Sequence, residues 1–213
     1  MNVLCQVPFR HLSRLALIGW CALVPGLAQA DAVDALRGFV SGAKSGQASF
    51  VQTVTSADGA RKKVSSGSFE FARPNRFVFA YTQPFEQTIV ADGQKVWIYD
   101  AELNQASSRR MSQALGATPA ALLAGASLEP DFVLSALPAA DGLDWALATP
   151  KAKGGAFQAL RVGFRGAQLA AMEVTDSFGQ RSRLDFSQLR TNTPVVPERF
   201  RFTPPPGADV VEQ

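Results

Sequence analysis

Cysteine and histidine are nearly missing from this chain. Two cysteines and one histidine occur in 213 residues, and Cys5, His11 and Cys21 all lie near the start. There Arg10, His11 and Arg14 precede an apolar run from Leu15 to Val24. Pro25 follows, and Ala28-Gln29-Ala30 fits a small-x-small cleavage site. Residues 1–30 therefore read as a secretory signal peptide, with 31–213 as a single mature domain. The apolar run of about ten residues is too short to span a bilayer. Arg10 and Arg14 are not adjacent, which argues against a twin-arginine signal. With the signal removed, neither Cys nor His remains. Disulfides are then excluded, and so are Ser-His and Cys-His nucleophilic sites. Zinc and haem sites lose their usual ligands, and no cofactor is expected.

An excess of charge is also lacking. Removing Arg10 and Arg14 leaves 19 basic against 18 acidic residues, a net of +1. Capturing a polyanion needs a dense basic stripe, so no nucleic-acid partner is expected. The nearest approach, Arg61-Lys62-Lys63, sits beside the turn signal Asp58-Gly59 and reads as a solvated hairpin end or a contact for an acidic partner. Of the carboxylates, Asp92, Asp100, Glu102, Asp176 and Asp185 are candidates for a two-carboxylate hydrolase. Asp92 and Asp176 are equally well explained by the turns they occupy.

What is present is alternation. Asp31 to Val40 carries Val33, Leu36, Phe39 and Val40 at helical spacing. From Ala48 the period becomes two, and "ASFVQTVTS", "KVSSGSFEFA", "RFVFAYT", "QTIVA", "KVWIYD" and Gln105–Arg109 read as a meander with short turns. Thr118 to Gly125 reads as a short helix, with a cap candidate, proline at its first turn and glycine past its end. A second helical stretch is expected from Pro130 to Leu137. Strands resume at Trp145–Leu147, Phe157–Phe164, Leu169–Thr175, Arg181–Phe186 and Phe200–Thr203, before an irregular tail. The expected fold is one antiparallel sheet of about ten or eleven strands with a helical insert (mainly β, α+β). Twist curls such a sheet into a barrel or half-barrel whose concave face must be filled.

Phe69, Phe71, Phe77, Phe79, Tyr81, Trp97 and Tyr99 recur along these strands. Any one of them reads as ordinary core. Their density, together with the insert, also fits an apolar pocket under a lid. Such a pocket suits aliphatic chains, because each buried methylene contributes roughly 0.8 kcal/mol and a sixteen-carbon chain about 12 kcal/mol before costs. Arg73 precedes Pro74, which restricts it to extended conformations and marks a strand boundary. It reads either as a surface arginine or as a fork of donors aimed at carbonyls of the insert.

The order "SFVQTV", "GSFEFARPNRFVFAYTQP", "QTIVADGQKVWIYDAELNQAS", "TPAALLAG" and "FRFTPPPGADVV" resembles the periplasmic outer-membrane lipoprotein carrier family (LolA) across the mature chain. The most specific pieces are Arg73-Pro74-x-x-Phe77, Asp92-Gly93-x-x-x-Trp97-x-Tyr99, Thr118-Pro119 and Phe202-Thr203-Pro204-Pro205. The resemblance implies an unclosed β-barrel with a helical lid over a hydrophobic cavity. It implies a soluble, monomeric periplasmic carrier rather than an enzyme. Acylated lipoproteins would be its cargo, an inner-membrane lipoprotein-releasing ABC transporter their source, and an outer-membrane receptor lipoprotein their destination. It implies that Arg73 latches the lid and that Phe77 belongs to the acyl and partner surface. Phe50, Phe69, Phe71, Phe79, Tyr81, Trp97, Tyr99, Leu122 and Leu123 are the further residues expected on the cavity and partner surface. The receptor itself would need a lipobox, but Trp20 before Cys21 is too large for one. A lipid- or partner-sensing regulatory protein of the same fold remains the alternative, with the carboxylate hydrolase behind it.

Overall fold

The computed structural model describes residues 32–111, 128, 130–152 and 157–212. The signal segment, the helical insert over 118–125 and its Leu122 and Leu123 lie outside these residues.

Helix α1 (Ala32–Gly42) buries Val33, Leu36, Phe39 and Val40 on one stripe, as its periodicity requires. The first meander comprises β1 (Ser45–Thr55), β2 (Lys62–Ala72), β3 (Arg76–Gln83), β4 (Gln87–Asp92), β5 (Lys95–Asp100) and β6 (Gln105–Arg110). The second comprises β7 (Phe132–Ala140), β8 (Leu143–Pro150), β9 (Phe157–Arg165), β10 (Gln168–Asp176) and β11 (Arg181–Thr191). A short β12 (Asp209–Glu212) ends the chain. β1 pairs antiparallel with both β2 and β11, which fuses the two meanders. The result is one twelve-stranded sheet ordered β12-β6-β5-β4-β3-β2-β1-β11-β10-β9-β8-β7. β7 and β12 are its edges, so the sheet is unclosed.

Three local expectations are corrected. The stretch expected as a helix over 130–137 is β7, paired with β8 from Phe132↔Pro150 to Ala140↔Leu143. Short apolar runs do not declare their period, and Pro138 is tolerated because β7 is an edge strand with a register shift between Leu137 and Ala140. Phe200 belongs not to a strand but to a 3₁₀ turn, Pro197–Phe200. The tail is not irregular to its end, since β12 adds to β6 in parallel, and Lys95 Nζ meets Glu212 Oε1 at 2.9 Å.

The sheet has two differently used faces. α1 lies across β7 to β10 on the inner face, and the main core cluster runs from α1 through Phe50, Phe69, Phe71, Phe77 and Phe79 to Val162, Phe164 and Leu184. Met111 and Leu128, on either side of the insert, are both buried in this cluster. The outer face carries two smaller clusters. In one, Trp145 is covered by the guanidinium groups of Arg161 and Arg183 at 4.7 and 5.6 Å, and Glu173 accepts from both arginines.

One glycine is required by closeness rather than by a turn. A Cβ on Gly67 would lie 2.0 Å from the carbonyl oxygen of Ala80 on the neighbouring strand. The expected cost of Gly67→Ala is about 1–3 kcal/mol, the usual range for overpacking, and chemical denaturation measures it. An unchanged midpoint would mean that β2 and β3 separate here without penalty.

Candidate functional site

The aromatic residues meet because of register. Phe71 faces Phe77, Phe69 faces Phe79, and Gly67 faces Tyr81 across β2 and β3, while Phe50 on β1 also faces Gly67. Strand alternation puts all six side-chain positions on the inner face. The rings interlock: Phe69 stacks on Phe79 at 4.5 Å and on Phe71 at 5.6 Å. Phe50 meets Phe79 at 5.2 Å and Tyr81 at 5.0 Å, both edge to face. Gly67 contributes no side chain between Phe50 and Tyr81, which leaves room for that last contact. Phe39 of α1 extends the array to Phe71 at 6.0 Å and Phe164 at 6.4 Å. Beside α1 runs a groove of about 870 Å³ bounded partly by Phe39, Leu169 and Leu189.

Arg73 closes one end of the array. Its guanidinium carbon lies 5.6 Å from the Phe39 ring and 5.5 Å from the Phe71 ring. Its Nε donates to the carbonyl of Ala43, just past α1, at 2.7 Å, and its backbone N–H donates to Lys44 O at 2.8 Å. Burial pulls the guanidinium down to about 10, which still leaves it charged at neutral pH. The arginine therefore joins the β2–β3 turn to the end of α1. The insert carbonyls expected as its partners lie outside the described residues.

Tyr81 marks the opposite end. Its ring belongs to the phenyl array and its hydroxyl donates to Gln52 Oε1 at 2.9 Å. Gln52 Nε2 in turn donates to Ser182 Oγ at 2.6 Å. Burial pushes the Tyr81 hydroxyl up to about 12. The sequence pattern did not single out Gln52 or Ser182. Their signal was there, as polar residues on the same alternation as Phe50 and Leu184.

Trp97 and Tyr99 stand elsewhere. On β5 it is Val96 that joins the inner cluster, so the residue after it and the one two further on point outward. Both pack on Phe202, at 5.4 and 5.6 Å, beneath the chain that leads to β12. Their spacing is correct, but their face is not that of the phenyl array. Three of the candidate carboxylates, Asp92, Asp100 and Asp176, accept from backbone N–H groups. Asp92 Oδ1 accepts from the N–H groups of Gln94 and Lys95, Asp100 Oδ1 from Glu102 and Leu103, and Asp176 Oδ1 from Phe178 and Gln180. Asp185 binds Arg183 at 2.9 Å. Among the described residues no group of His, Cys, Asp or Glu is arranged to hold a metal, and no helix is long and apolar enough to cross a membrane.

Comparison with known proteins bears on this geometry. The family model "Outer membrane lipoprotein carrier protein LolA" matches residues 41–203. An outer-membrane lipoprotein carrier protein of Methylibium petroleiphilum is 62% identical over 200 residues, 94% of this chain and 98% of that protein. Another, from Leptothrix cholodnii, is 59% identical over 199 residues, 93% of this chain and 92% of that one. Among solved structures, an uncharacterized conserved protein from Thermus thermophilus superposes with a TM-score of 0.51 at 15% identity, covering 85% of this chain and 96% of that one. That last likeness bears on the fold alone.

The phenyl array is expected to dominate stability on the inner face. Phe69→Ala should cost about 3–5 kcal/mol in urea unfolding, and Trp97→Ala, at a partly exposed site, distinctly less. Equal costs would contradict the unequal burial of the two faces.

Proposed function

This chain belongs to the outer membrane lipoprotein carrier (LolA) family, and we propose from that premise that it shields the acyl chains of lipoproteins against its inner face. The observation that supports this most is the row of interlocked rings on β1, β2 and β3, with Arg73 at one end and, adjoining its partners Phe39 and Ala43, a groove beside α1. An array of this kind offers non-directional apolar contact, which acyl chains need and which does not discriminate among the polypeptides attached to them. In this reading Phe50, Phe69, Phe71, Phe77, Phe79 and Tyr81 form the acyl surface, Phe77 also serving contact with partners. Leu122 and Leu123 of the insert complete the cover. Residues 1–30 direct the chain to the periplasm, where the mature domain works as a monomer. Cargo comes from an inner-membrane lipoprotein-releasing ABC transporter and passes to an outer-membrane receptor lipoprotein.

A carrier must also release. Arg73 supplies the bias, because it holds the end of α1 to the β2–β3 turn through the Ala43 carbonyl and so favours a closed inner face. A charge-assisted bond of this type contributes about 1.5–3 kcal/mol. Removing it raises the share of open molecules, and apparent affinity scales with that share.

Two outcomes test the reading. The purified mature domain should bind an apolar fluorescent probe, and a palmitoylated lipopeptide should displace it; a protein that takes up neither is not a carrier. Arg73→Leu should load lipopeptide at least as tightly as wild type but release it more slowly to an acceptor vesicle or receptor. Arg73→Lys should fall between them, since it keeps the charge without the planar fork. Weak loading with normal release would make Arg73 a cargo-binding residue instead.

A further inference from the structure

The inner face is not uniform along its strands. From the Arg73 end, β3 presents Phe77 and Phe79, both buried, and then Tyr81, half-buried. β1 presents Phe50 and then Gln52, β4 runs from Ala91 through Ile89 to Gln87, and β2 from Phe71 and Phe69 through Gly67 to Ser65. Register places these changes on adjacent rows: Tyr81 and Gln87 stand on the row of Phe50 and Gly67, and Gln52 faces Ser65 on the next. An apolar surface thus gives way, within one residue step on each strand, to a belt of neutral hydrogen-bonding side chains. The belt borders the turns 84–86 and 101–104. There a groove of about 670 Å³ is lined on its inner side by Gln52, Ser65, Tyr81 and Gln87, with the charged Lys63, Asp100 and Glu102 further out and Phe85 and Leu103 beside them. That volume lies within the range of small-molecule sites. Phe85 and Leu103 are 62% and 70% exposed.

The donors of this belt are unevenly used. Tyr81 gives its proton to Gln52, and Gln52 gives one of two amide protons to Ser182. Among the described residues this leaves the second amide proton of Gln52 and the hydroxyl proton of Ser182 for an outside acceptor. The ring of Tyr81 touches the phenyl array while its hydroxyl sits in the belt, so one residue spans the boundary.

We propose that the belt formed by Gln52, Tyr81 and Ser182, opening into the groove beside Phe85 and Leu103, is the subsite for the carbonyl-rich junction of an acylated ligand, its glyceryl ester and cysteinyl amide groups. This rests on the carrier reading and adds an orientation to it. Acyl chains lie along the phenyl array towards Arg73, the ester and amide carbonyls meet the belt, and the polypeptide leaves over the turns 84–86 and 101–104. Neutral donors suit this task, because ester and amide oxygens carry no charge and a buried carbonyl left without a donor is costly. The cation at the other end of the array is occupied with Ala43 and stacked on Phe39 and Phe71.

The test compares three probes with wild type, Tyr81→Phe and Gln52→Leu, each by displacement of an apolar fluorophore. The first probe is a dipalmitoyl-glyceryl cysteinyl peptide. The second is its diether analogue, with the same chains but no ester carbonyls. The third is dipalmitoyl phosphatidylglycerol. Wild type should prefer the ester lipopeptide to the diether by about five- to tenfold, the worth of one hydrogen bond. Each substitution should shrink that preference to within twofold, the ester-to-diether ratio being the readout rather than either affinity alone. A phospholipid bound as tightly as the lipopeptide, with the same dependence on both residues, keeps the subsite and assigns it to glyceryl esters generally; a weaker phospholipid assigns it to the cysteinyl junction. Unchanged preference in both folded variants, or equal loss for ester and diether, overturns the proposal while the carrier reading stands. A wild type that binds no probe removes the carrier reading and this subsite with it. Ser182→Ala, a smaller change, decides the matter in the same way should either variant unfold.

Discussion

A wide sheet with an apolar inner face must be covered, and a carrier must be able to uncover it. Everything else in this molecule follows from those opposed demands. α1 covers the β7–β10 half, while Met111 and Leu128 bring chain onto the core from either side of the insert. The phenyl array on β1, β2 and β3 is the surface at stake. Hydrophobic contact is proportional to area and indifferent to direction, so the same face that stabilises the empty protein can accept alkyl chains in place of its own side chains. In the proposed reading, the bond from Arg73 to Ala43 acts on that exchange. Arg73 is half-buried, stacked on two rings and tied to the carbonyl after α1, so moving the helix end costs a charge-assisted bond.

The two faces divide the labour. Outward positions of the same strands carry their own clusters, Trp145 under two arginines and Phe200 against Val78 and Val90. The C-terminal chain adds β12 to β6 and lays Phe202 on Trp97 and Tyr99. These contacts stabilise the sheet without drawing on the inner face, which leaves that face free to change its cover. Membership of the lipoprotein carrier family fits this separation of scaffold from surface.

Much of this was legible in the residues. Period two on "SFEFA" and "FVFAY" announces paired aromatic rows, and the Asp-Gly turns set which strands are neighbours. Helical spacing announced α1 correctly. Two kinds of information were missing. Alternation says that Trp97 and Tyr99 share a face, but which face depends on the register of β5 with β4, a property of the pair and not of either strand. Long-range pairing is also silent locally: nothing within "ADVVEQ" points to β6, more than a hundred residues earlier. β7 failed for a third reason, since an apolar run without charges has no visible period. Arg73 was legible as special from its proline, yet its described partner at Ala43 could be found only once α1 was placed over the sheet.

The central claim is that acyl chains occupy the inner face. A lipopeptide carrying a photoreactive diazirine at the end of one acyl chain tests it most directly, with the crosslinked residues read by peptide mass spectrometry. The account predicts adducts on β1, β2 and β3, centred on Phe50, Phe69 and Phe79, with further adducts near Phe39 of α1. Adducts concentrated on the outer face, at Trp97, Tyr99 or Phe202, would contradict it.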